Sequence, residues 1–320
     1  MTTNESAHQL PPYHVADLLD VLDLRETGTL ELSVQAEPAD PQLALPPGRA
    51  RVFSGPSQKQ RYERTFGGQL LAQAIVAASR TVTDAAGPGR TIASMHTIFL
   101  AGGDDTREIR YAVEPLSDGR SFSTRRVLVM QDGRILSVGL AVFQEAGPPT
   151  LMEHQEPAPE VPDAESLRNV AAALEGVPEP YAPVCILHGP IELRHVEGNL
   201  YAGPDPTPSS RQGVWLRSRR ELPDDPAIHA AFLAYASDYS ILESVLRRHD
   251  TSWNDPRLRQ ASLDHTIWFH RFGRADEWVL HAGHSPSASG GRGLGLGRMY
   301  AMDGTLLASI AQEGMLRLKE

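Results

Sequence analysis

The clearest pattern along this chain is a β-hairpin indication that occurs once in each half. Apolar and polar residues alternate on both sides of Asp132-Gly133, and again on both sides of Asp303-Gly304. An Asp-Gly pair between alternating segments is among the strongest short-range indications of an antiparallel hairpin. Each half of the chain is therefore predicted to contain the same hairpin.

The segments around these turns repeat one order of features. Residues 121–145 and 287–313 both run from Ser-x-Ser through an arginine and an apolar strand to Asp-Gly, and then through a second apolar strand to Gln-Glu. A His-Thr-Ile string also occurs twice, in M-H-T-I-F-L at 95–100 and in D-H-T-I-W-F-H at 264–270. These repeats predict a duplicated unit of roughly 150 residues.

A long helical segment precedes each His-Thr-Ile strand. Phe66–Val82 and Pro226–Arg248 are rich in alanine and apolar almost all round, which predicts buried helices. Asp224 and Asp225 favour a helix start at Pro226, because acids suit the positive end of a helix and proline fits its first turn. One buried helix followed by antiparallel strands predicts an α+β double hot-dog fold, in which two such units join their sheets.

The repeats also predict how the chain is divided. Residues 1–146 are expected to form the N-terminal hot-dog unit, residues 147–183 a linker rich in proline and glutamate, and residues 184–320 the C-terminal unit. One short helical turn is expected in the linker, near Ala164–Leu174. Residues 35–60 contain five prolines and little periodicity, so they are predicted to be a surface insertion before the first helix.

Composition and charge exclude several classes of protein. A net charge of −10 at pH 7 argues against nucleic-acid binding, which needs clustered Lys and Arg. No apolar run reaches the ~18–20 residues that span a bilayer, and the N-terminus lacks the features of a signal peptide. We therefore expect a cytoplasmic protein without a membrane span. Cys185 has no disulfide partner, and a small buried hydrophobe is its expected role rather than a nucleophile.

Common catalytic motifs are absent from the sequence. It contains no G-x-x-x-x-G-K-[ST], no H-E-x-x-H and no G-x-S-x-G, and its histidines show no metal-ligand spacing. We therefore expect no metal site.

Polar residues that occur in one half only are a better indication of a site. When the second half is shifted back by 169 residues, Asp238 and Ser262 align with Gln69 and Ala93. An ionised carboxylate in an apolar helix is costly unless it is paired or used. The C-terminal half is therefore predicted to contain the catalytic residues. The alternative, that Asp238 has a structural role in which it reaches solvent or caps a kink, stays open.

Asp264 and His265 form a second acid-histidine pair by sequence. Because neighbours in a strand point to opposite faces, Ser262 and Asp264 are expected on one face and His265 on the other. His265 repeats His96 of the other half, which favours a structural role for both histidines.

The chain resembles the acyl-CoA thioesterase II family, and the likeness runs from about residue 15 to the end. The strings that carry it are F-G-G-Q at 66–69, Y-A-S-D-Y-S-I-L at 235–242, A-S-L-D-H-T-I-W-F-H-R at 261–271, S-P-S-A-S-G-G-R at 285–292 and A-Q-E-G-M-L-R at 311–317. This resemblance implies a double hot-dog hydrolase that cleaves fatty acyl-CoA to free acid and CoA without a cofactor.

The resemblance also implies a set of site residues. The Asp-Thr-Gln triad of the family falls on Asp238, Ser262 and Gln312, with serine where many members have threonine. Thioester hydrolysis needs an activated water, so we expect Asp238 to be its general base, with Ser262 and Gln312 orienting it. Backbone N–H groups at Gly67 and Gly68 are candidates to polarise the substrate carbonyl. Ser262 as an acyl nucleophile is disfavoured, since no histidine is spaced to serve it.

Two other functions stay open, because hot-dog proteins also include hydratases and dehydratases. Such an enzyme would use His265 with Asp264 and would not need Asp238, whereas a non-catalytic module would bind acyl-CoA without turnover. In each case an acyl-CoA is the expected small-molecule partner. A homodimer or higher homo-oligomer is also expected, because hot-dog sheets often associate.

Overall fold

The computed structural model describes most of the chain, namely residues 15–32, 48–60, 63–86, 89–147, 152–175, 189–201 and 203–319. Within these ranges the strands form a 13-stranded sheet in which all neighbours are antiparallel. Cys185 lies outside the described residues, so its expected role stays a prediction.

Six strands belong to the first half of the chain and seven to the second. The first six are β1 (Arg25–Leu32), β2 (Gly48–Gly55), β3 (Arg90–Phe99), β4 (Ile109–Asp118), β5 (Phe122–Gln131) and β6 (Arg134–Glu145). The others are β7 (Ile191–His195), β8 (Arg211–Ser218), β9 (Leu258–Ser262), β10 (Asp264–Phe269), β11 (Val279–Ser289), β12 (Arg292–Ala301) and β13 (Leu306–Leu318).

The helices are α1 (Val15–Leu22), α2 (Gly67–Ala86), α3 (Val170–Ala173), α4 (Pro226–Ser240) and α5 (Glu243–Arg248). The long helices α2 and α4 pack against each other and against one face of the sheet, which we call the inner face. Both are largely buried, as their apolar composition predicts. None of the described helices is long and apolar enough to cross a membrane.

The strand order shows the duplication directly. Strands β3 and β10 pair at the centre of the sheet. Outward from this pair the order is β6, β5, β4, β2, β1 on one side and β13, β12, β11, β8, β7 on the other, and β9 also pairs with β13. Each half thus contributes two strands, a buried helix and four further strands in corresponding places, and the second half has β9 in addition. The predicted double hot-dog fold is confirmed.

Both predicted hairpins are present. Asp132 and Gly133 join β5 to β6 with φ angles of 50° and 77°, the left-handed values of a two-residue hairpin turn. The turn from β12 to β13 is longer, with Gly304 at φ 84°. It is closed by the N–H of Ala301, which donates to the carbonyl of Thr305 over 2.9 Å.

The two His-Thr-Ile strings do not occupy equivalent positions. His265 pairs with Thr97 and His96 pairs with Thr266 across the central strands. His265 is fully buried on the inner face, whereas His96 lies on the outer face against the ring of Trp268, with 5.4 Å between ring centroids. The strings are one residue out of phase, and a one-residue shift exchanges the faces of a strand. The prediction that the two histidines share one structural position is therefore wrong, although His265 is the buried, hydrogen-bonded histidine that was expected.

The second predicted helix is interrupted at residues 241–242, which separate α4 from α5. At the end of α4 the side chain of Gln212 donates to the carbonyl of Ser240 over 2.7 Å. The hydroxyl of Ser240 in turn contacts Nδ1 of His281 at 2.9 Å. These side chains take the place of continued helical bonding at the point where the helix is interrupted.

Part of the predicted surface insertion is strand. Residues 48–55 form β2, which pairs with β1 and β4, and Phe53 is buried in the core. The prediction was wrong here because Arg49 and Arg51 interrupt the apolar positions of this short strand and hide its alternation; residues 35–47 lie outside the described residues. In the predicted linker, a 3₁₀ turn at Ala164–Ser166 and α3 confirm helical structure near Ala164–Leu174.

Gly133→Ala is expected to lower the free energy of unfolding by about 1–2 kcal/mol, because a Cβ is disfavoured at positive φ. No atom lies within 4 Å of that Cβ position, so the effect is confined to the backbone. Gly147→Ala is the matched control, since its surroundings are equally open and its φ is outside the left-handed region. It should be neutral or stabilise by up to about 1 kcal/mol. Chemical unfolding measures both, and equal effects would contradict the turn assignment.

Candidate active site

The candidate site lies where α2 of the first half meets α4 of the second half. A Cβ on Gly68 would lie 2.5 Å from the carbonyl oxygen of Tyr235, an atom of the α4 backbone. Only glycine allows this approach, so Gly68 sets how closely the start of α2 packs on α4.

Asp238 lies on α4 and its carboxylate faces the start of α2. Its Oδ2 accepts the N–H of Gly68 over 2.7 Å, and its Oδ1 accepts from Nε2 of Gln312 over 2.8 Å. The positive end of a helix stabilises a carboxylate in this position. Asp238 is half-buried and paired across the two halves, so it neither points freely to solvent nor caps a kink of its own helix.

Gln312 of β13 connects the acid to the hydroxyl. Besides Asp238, its Nε2 donates to Oγ of Ser262 over 3.0 Å, and the Gln312 side chain is buried. Ser262 ends β9, next to the centre of the sheet. The structure thus brings together the three predicted residues Asp238, Ser262 and Gln312, which come from a helix and two strands.

A β-bulge places His265 in the same group. Ser262 pairs with Gly314 and Thr266 with Ala311, so β9 and β10 use one residue more than β13 over this interval. An extra residue reverses the alternation of faces. Ser262 and His265 consequently both reach the side chain of Gln312.

Asp264 points away from this group, and its Oδ1 accepts the backbone N–H of Glu313 over 2.7 Å. The prediction that Ser262 shares a face with Asp264, opposite His265, is therefore wrong. Strict alternation of faces fails here because the strand contains the bulge. The composition of the segment does not indicate this bulge.

The sequence indicated His265 only as a partner of Asp264 in the alternative function, whereas the structure places it beside Gln312. Its Nδ1 hydrogen-bonds with Oε1 of Gln312, and its Nε2 lies 3.0 Å from Oγ of Ser237 on α4. Burial lowers the pKa of His265, although the charge of Asp238 and the bond to Gln312 act in the opposite direction. The ring is therefore neutral near pH 7.

Gly67 and Gly68 both lie beside the carboxylate. The N–H of Gly68 is already taken by Asp238. A Cβ on Gly67 would lie 2.8 Å from Oδ2 of Asp238 and 3.2 Å from Cζ of Phe99, so a side chain there would crowd the acid. The two predicted glycines thus lie at the site, and the N–H of Gly68 donates to Asp238.

Aromatic rings form one wall next to Asp238. The ring of Phe66 packs against Tyr235 and Tyr239, with centroid distances of 5.2 Å and 4.7 Å. The hydroxyl of Tyr235 donates to Oε1 of Gln58 over 2.9 Å. These rings therefore form an aromatic group that packs close to the polar cluster. No group of three or more His, Cys, Asp or Glu residues suited to a metal ion occurs among the described residues.

The fold and the site together define a double hot-dog protein with a carboxylate, an amide and a hydroxyl joined by hydrogen bonds where its two units meet. Solved structures share this architecture. A TesB protein of Mycobacterium avium subspecies paratuberculosis is 28% identical with a TM-score of 0.71, over 94% of this chain and 99% of that one. Acyl-CoA thioesterase II TesB2 of Mycobacterium marinum is 33% identical with a TM-score of 0.70, over 95% and 99%.

Sequence comparisons agree with the structural ones. Family models described as acyl-CoA thioesterase and acyl-CoA thioesterase N-terminal domain match residues 198–315 and 55–144. Acyl-CoA thioesterase 2 of Haemophilus influenzae is 34% identical over 273 residues, which is 84% of this chain and 93% of that protein. Human acyl-coenzyme A thioesterase 8 is 33% identical over 295 residues, 87% of this chain and 88% of that protein. The chain belongs to the acyl-CoA thioesterase family.

Gly68→Ala is expected to lower the free energy of unfolding by about 1–3 kcal/mol, because the new Cβ meets a backbone atom of α4 that cannot rotate away. Gly67→Ala is the control, since its Cβ meets only side-chain atoms of Asp238 and Phe99. It should lower that free energy by less than about 1 kcal/mol. Chemical unfolding of both variants tests this. A Gly68→Ala protein as stable as wild type would contradict the close helix contact.

Proposed function

We propose that this protein hydrolyses acyl-CoA thioesters to free fatty acid and CoA by direct attack of an activated water. The observation that carries the proposal is the hydrogen-bonded set of Asp238, Gln312 and Ser262 at the junction of the two units. Relatives named acyl-CoA thioesterases, about a third identical over most of the chain, support the same substrate class.

Asp238 is the general base in this proposal. A carboxylate has about four lone-pair positions, and each Asp238 oxygen accepts one bond, from Gly68 and from Gln312. The remaining positions are available to a water that attacks the thioester carbonyl. The half-buried setting keeps this carboxylate accessible to water and substrate while its orientation is fixed.

Ser262 orients the reacting groups and does not attack. Its Oγ accepts from Nε2 of Gln312, which leaves its own proton free to be donated to the water or to the developing oxyanion. A serine nucleophile needs a base that accepts its proton. Within the described part of the chain, the side chain that contacts the Ser262 oxygen is a donor amide, which does not accept a proton.

The second oxyanion donor is assigned to the backbone of Gly67. The N–H groups of a first helical turn have no partner within the helix. Gly68 uses its N–H on Asp238, so Gly67 is the candidate that faces the substrate carbonyl.

The alternative functions have less support. A hydratase or dehydratase would need the side chain of Asp264 beside His265. Because of the bulge, Asp264 accepts the N–H of Glu313 instead, and His265 contacts Gln312 and Ser237. A non-catalytic binding module would have no use for a carboxylate that is held at a helix start with lone pairs to spare.

We also propose that the chain divides into two units, residues 1–146 and 184–320. A linker at residues 147–183 joins them. The matching strand order of the two halves supports it. A cytoplasmic location is also proposed, and a single cysteine, which excludes an internal disulfide, is consistent with a reducing compartment.

We further propose that the protein forms a homodimer or higher homo-oligomer through the outer face of the sheet. Linker residues cover the C-terminal part of that face, where Ala164 packs with Trp278 and nearby apolar residues. At the centre, three side chains of adjacent strands stay exposed: Ile98 at 54%, Leu140 at 44% and Trp268 at 40%. Exposed apolar side chains grouped on one face of a sheet favour association.

Asp238→Asn is expected to lower kcat for CoA release by about 10²–10⁴-fold, because an amide does not accept the proton of the water. Asp264→Asn is the matched control, since Asp264 contacts a backbone N–H outside the cluster, and its kcat should stay near that of wild type. A thiol reagent detects free CoA from a saturated acyl-CoA. Turnover near wild type in a folded Asp238→Asn protein would remove Asp238 as the base.

Sedimentation velocity at micromolar concentration should give a mass of at least two chains of 34.9 kDa. Ile98→Glu should shift the protein towards the monomer, because a charge in a buried apolar contact is costly. Leu318→Glu is the control, as Leu318 is similarly exposed but lies at the far end of β13. A wild-type protein that is monomeric at every concentration would contradict the proposed association.

A further inference from the structure

We propose that His265 is a positioning residue, which holds the side-chain amide of Gln312 in the one orientation that serves both Asp238 and Ser262. This inference rests on the proposed function, because it gives His265 a role within that site. With a neutral ring at His265, the donors and acceptors of the cluster allow only one consistent arrangement.

The amide of Gln312 is used at both ends. Its two N–H groups go to Oδ1 of Asp238 and Oγ of Ser262, at 2.8 Å and 3.0 Å. A carboxylate only accepts, so the NH₂ group has to face Asp238 and the carbonyl oxygen has to face away from it. That oxygen, Oε1, contacts Nδ1 of His265, and so His265 has to be the donor in this bond.

The tautomer of His265 follows from this requirement. A neutral imidazole carries one N–H, which the contact with Gln312 places on Nδ1. The other nitrogen, Nε2, is then an acceptor, and the hydroxyl of Ser237 lies 3.0 Å from it. Ser237 therefore donates its proton to His265 rather than to the carbonyl of Ala234, its other neighbour at 2.8 Å.

The result is a chain of hydrogen bonds with a single direction. It runs from Ser237 on α4 to His265, on to Gln312, and ends at the acceptor oxygens of Asp238 and Ser262. With the other tautomer, two lone pairs would face each other at Nδ1 and Oε1, and the buried amide would have to move. A displacement of about 1 Å in a catalytic group costs on the order of 100-fold in rate.

Charged groups near the ring agree with this arrangement. The charges of Asp238 and Asp264 both raise the pKa of His265, but burial outweighs them. Because Nδ1 carries a proton in the neutral and in the charged ring, the bond to Gln312 does not depend on titration of His265. The proposed role is thus one of geometry and not of proton transfer.

A second buried histidine on the same side of the sheet offers a matched control. His281 of β11 is also buried, and its Nδ1 lies 2.9 Å from Oγ of Ser240, three residues after Ser237 on α4. It differs from His265 in that this hydrogen bond goes to the helix end and not to the side chains of the site. Replacing it perturbs a similar buried environment without touching Gln312.

The test uses two amides that imitate different nitrogens of the ring. His265→Asn places an N–H donor close to the position of Nδ1, whereas His265→Gln places its amide near Nε2 and leaves Gln312 without a donor. We expect kcat for CoA release to stay within about fivefold of wild type for His265→Asn and to fall about 10–100-fold for His265→Gln. KM should stay within about threefold for both, and His281→Gln should keep a wild-type kcat.

Thermal unfolding of all four proteins separates positioning from stability. Wild-type kcat in His265→Gln, or equal losses of kcat in the Asn and Gln variants, would overturn the inference. If the wild-type protein released no CoA from any acyl-CoA, the proposed function itself would fail, which is a different result.

A measurement on the unmodified protein covers the case in which His265→Gln does not fold. Nitrogen-15 NMR of the histidine rings distinguishes the two neutral tautomers. We expect the proton of His265 on Nδ1 at pH 7, and a proton on Nε2 alone would contradict the inference.

Discussion

The contact between the start of α2 and the carboxylate of Asp238 is the constraint on which the site depends. It joins the two units of the chain, because Gly68 belongs to the first and Asp238 to the second. The close approach of α2 to the carbonyl of Tyr235 leaves no room for a side chain at Gly68. One unit supplies the acid and the other the helix start that stabilises it. The pairing of the two units is therefore a requirement of the site, and not only a way to extend the sheet.

Among the described residues, the acid, amide, hydroxyl and histidine of the cluster all come from the second unit. On β3, the inward position that faces Ile267 across the central pair is Met95, which is fully buried. Gln69, near the start of α2, has a different role, because its Oε1 accepts from the backbone of Gln58 and its Nε2 donates to the carbonyl of Pro56. In the first unit, the buried side-chain amide of Gln69 thus holds the loop that contains Pro56 and Gln58. The second unit uses Gln312 to join an acid, a hydroxyl and a histidine.

Much of this arrangement was predictable from the sequence, and the failures have physical causes. The hairpins, the buried helices and the double hot-dog fold followed from periodicity and turn residues, and the resemblance to a family indicated Asp238, Ser262 and Gln312. The face of His265 was not predictable, because the bulge after Ser262 and the one-residue phase difference between the halves depend on pairing with β13 and β3. The break after Ser240 depends on Gln212, a residue of a strand distant in sequence.

The proposed reaction depends on a water, activated by Asp238, that attacks the thioester without a covalent intermediate. A single turnover with enzyme in excess over acyl-CoA, carried out in ¹⁸O-labelled water, examines this step directly. We expect the first fatty acid released to carry one labelled oxygen, and the mass of the enzyme to be unchanged. Unlabelled acid together with label in Asp238, or an acyl group on Ser262, would contradict the proposed attack by water.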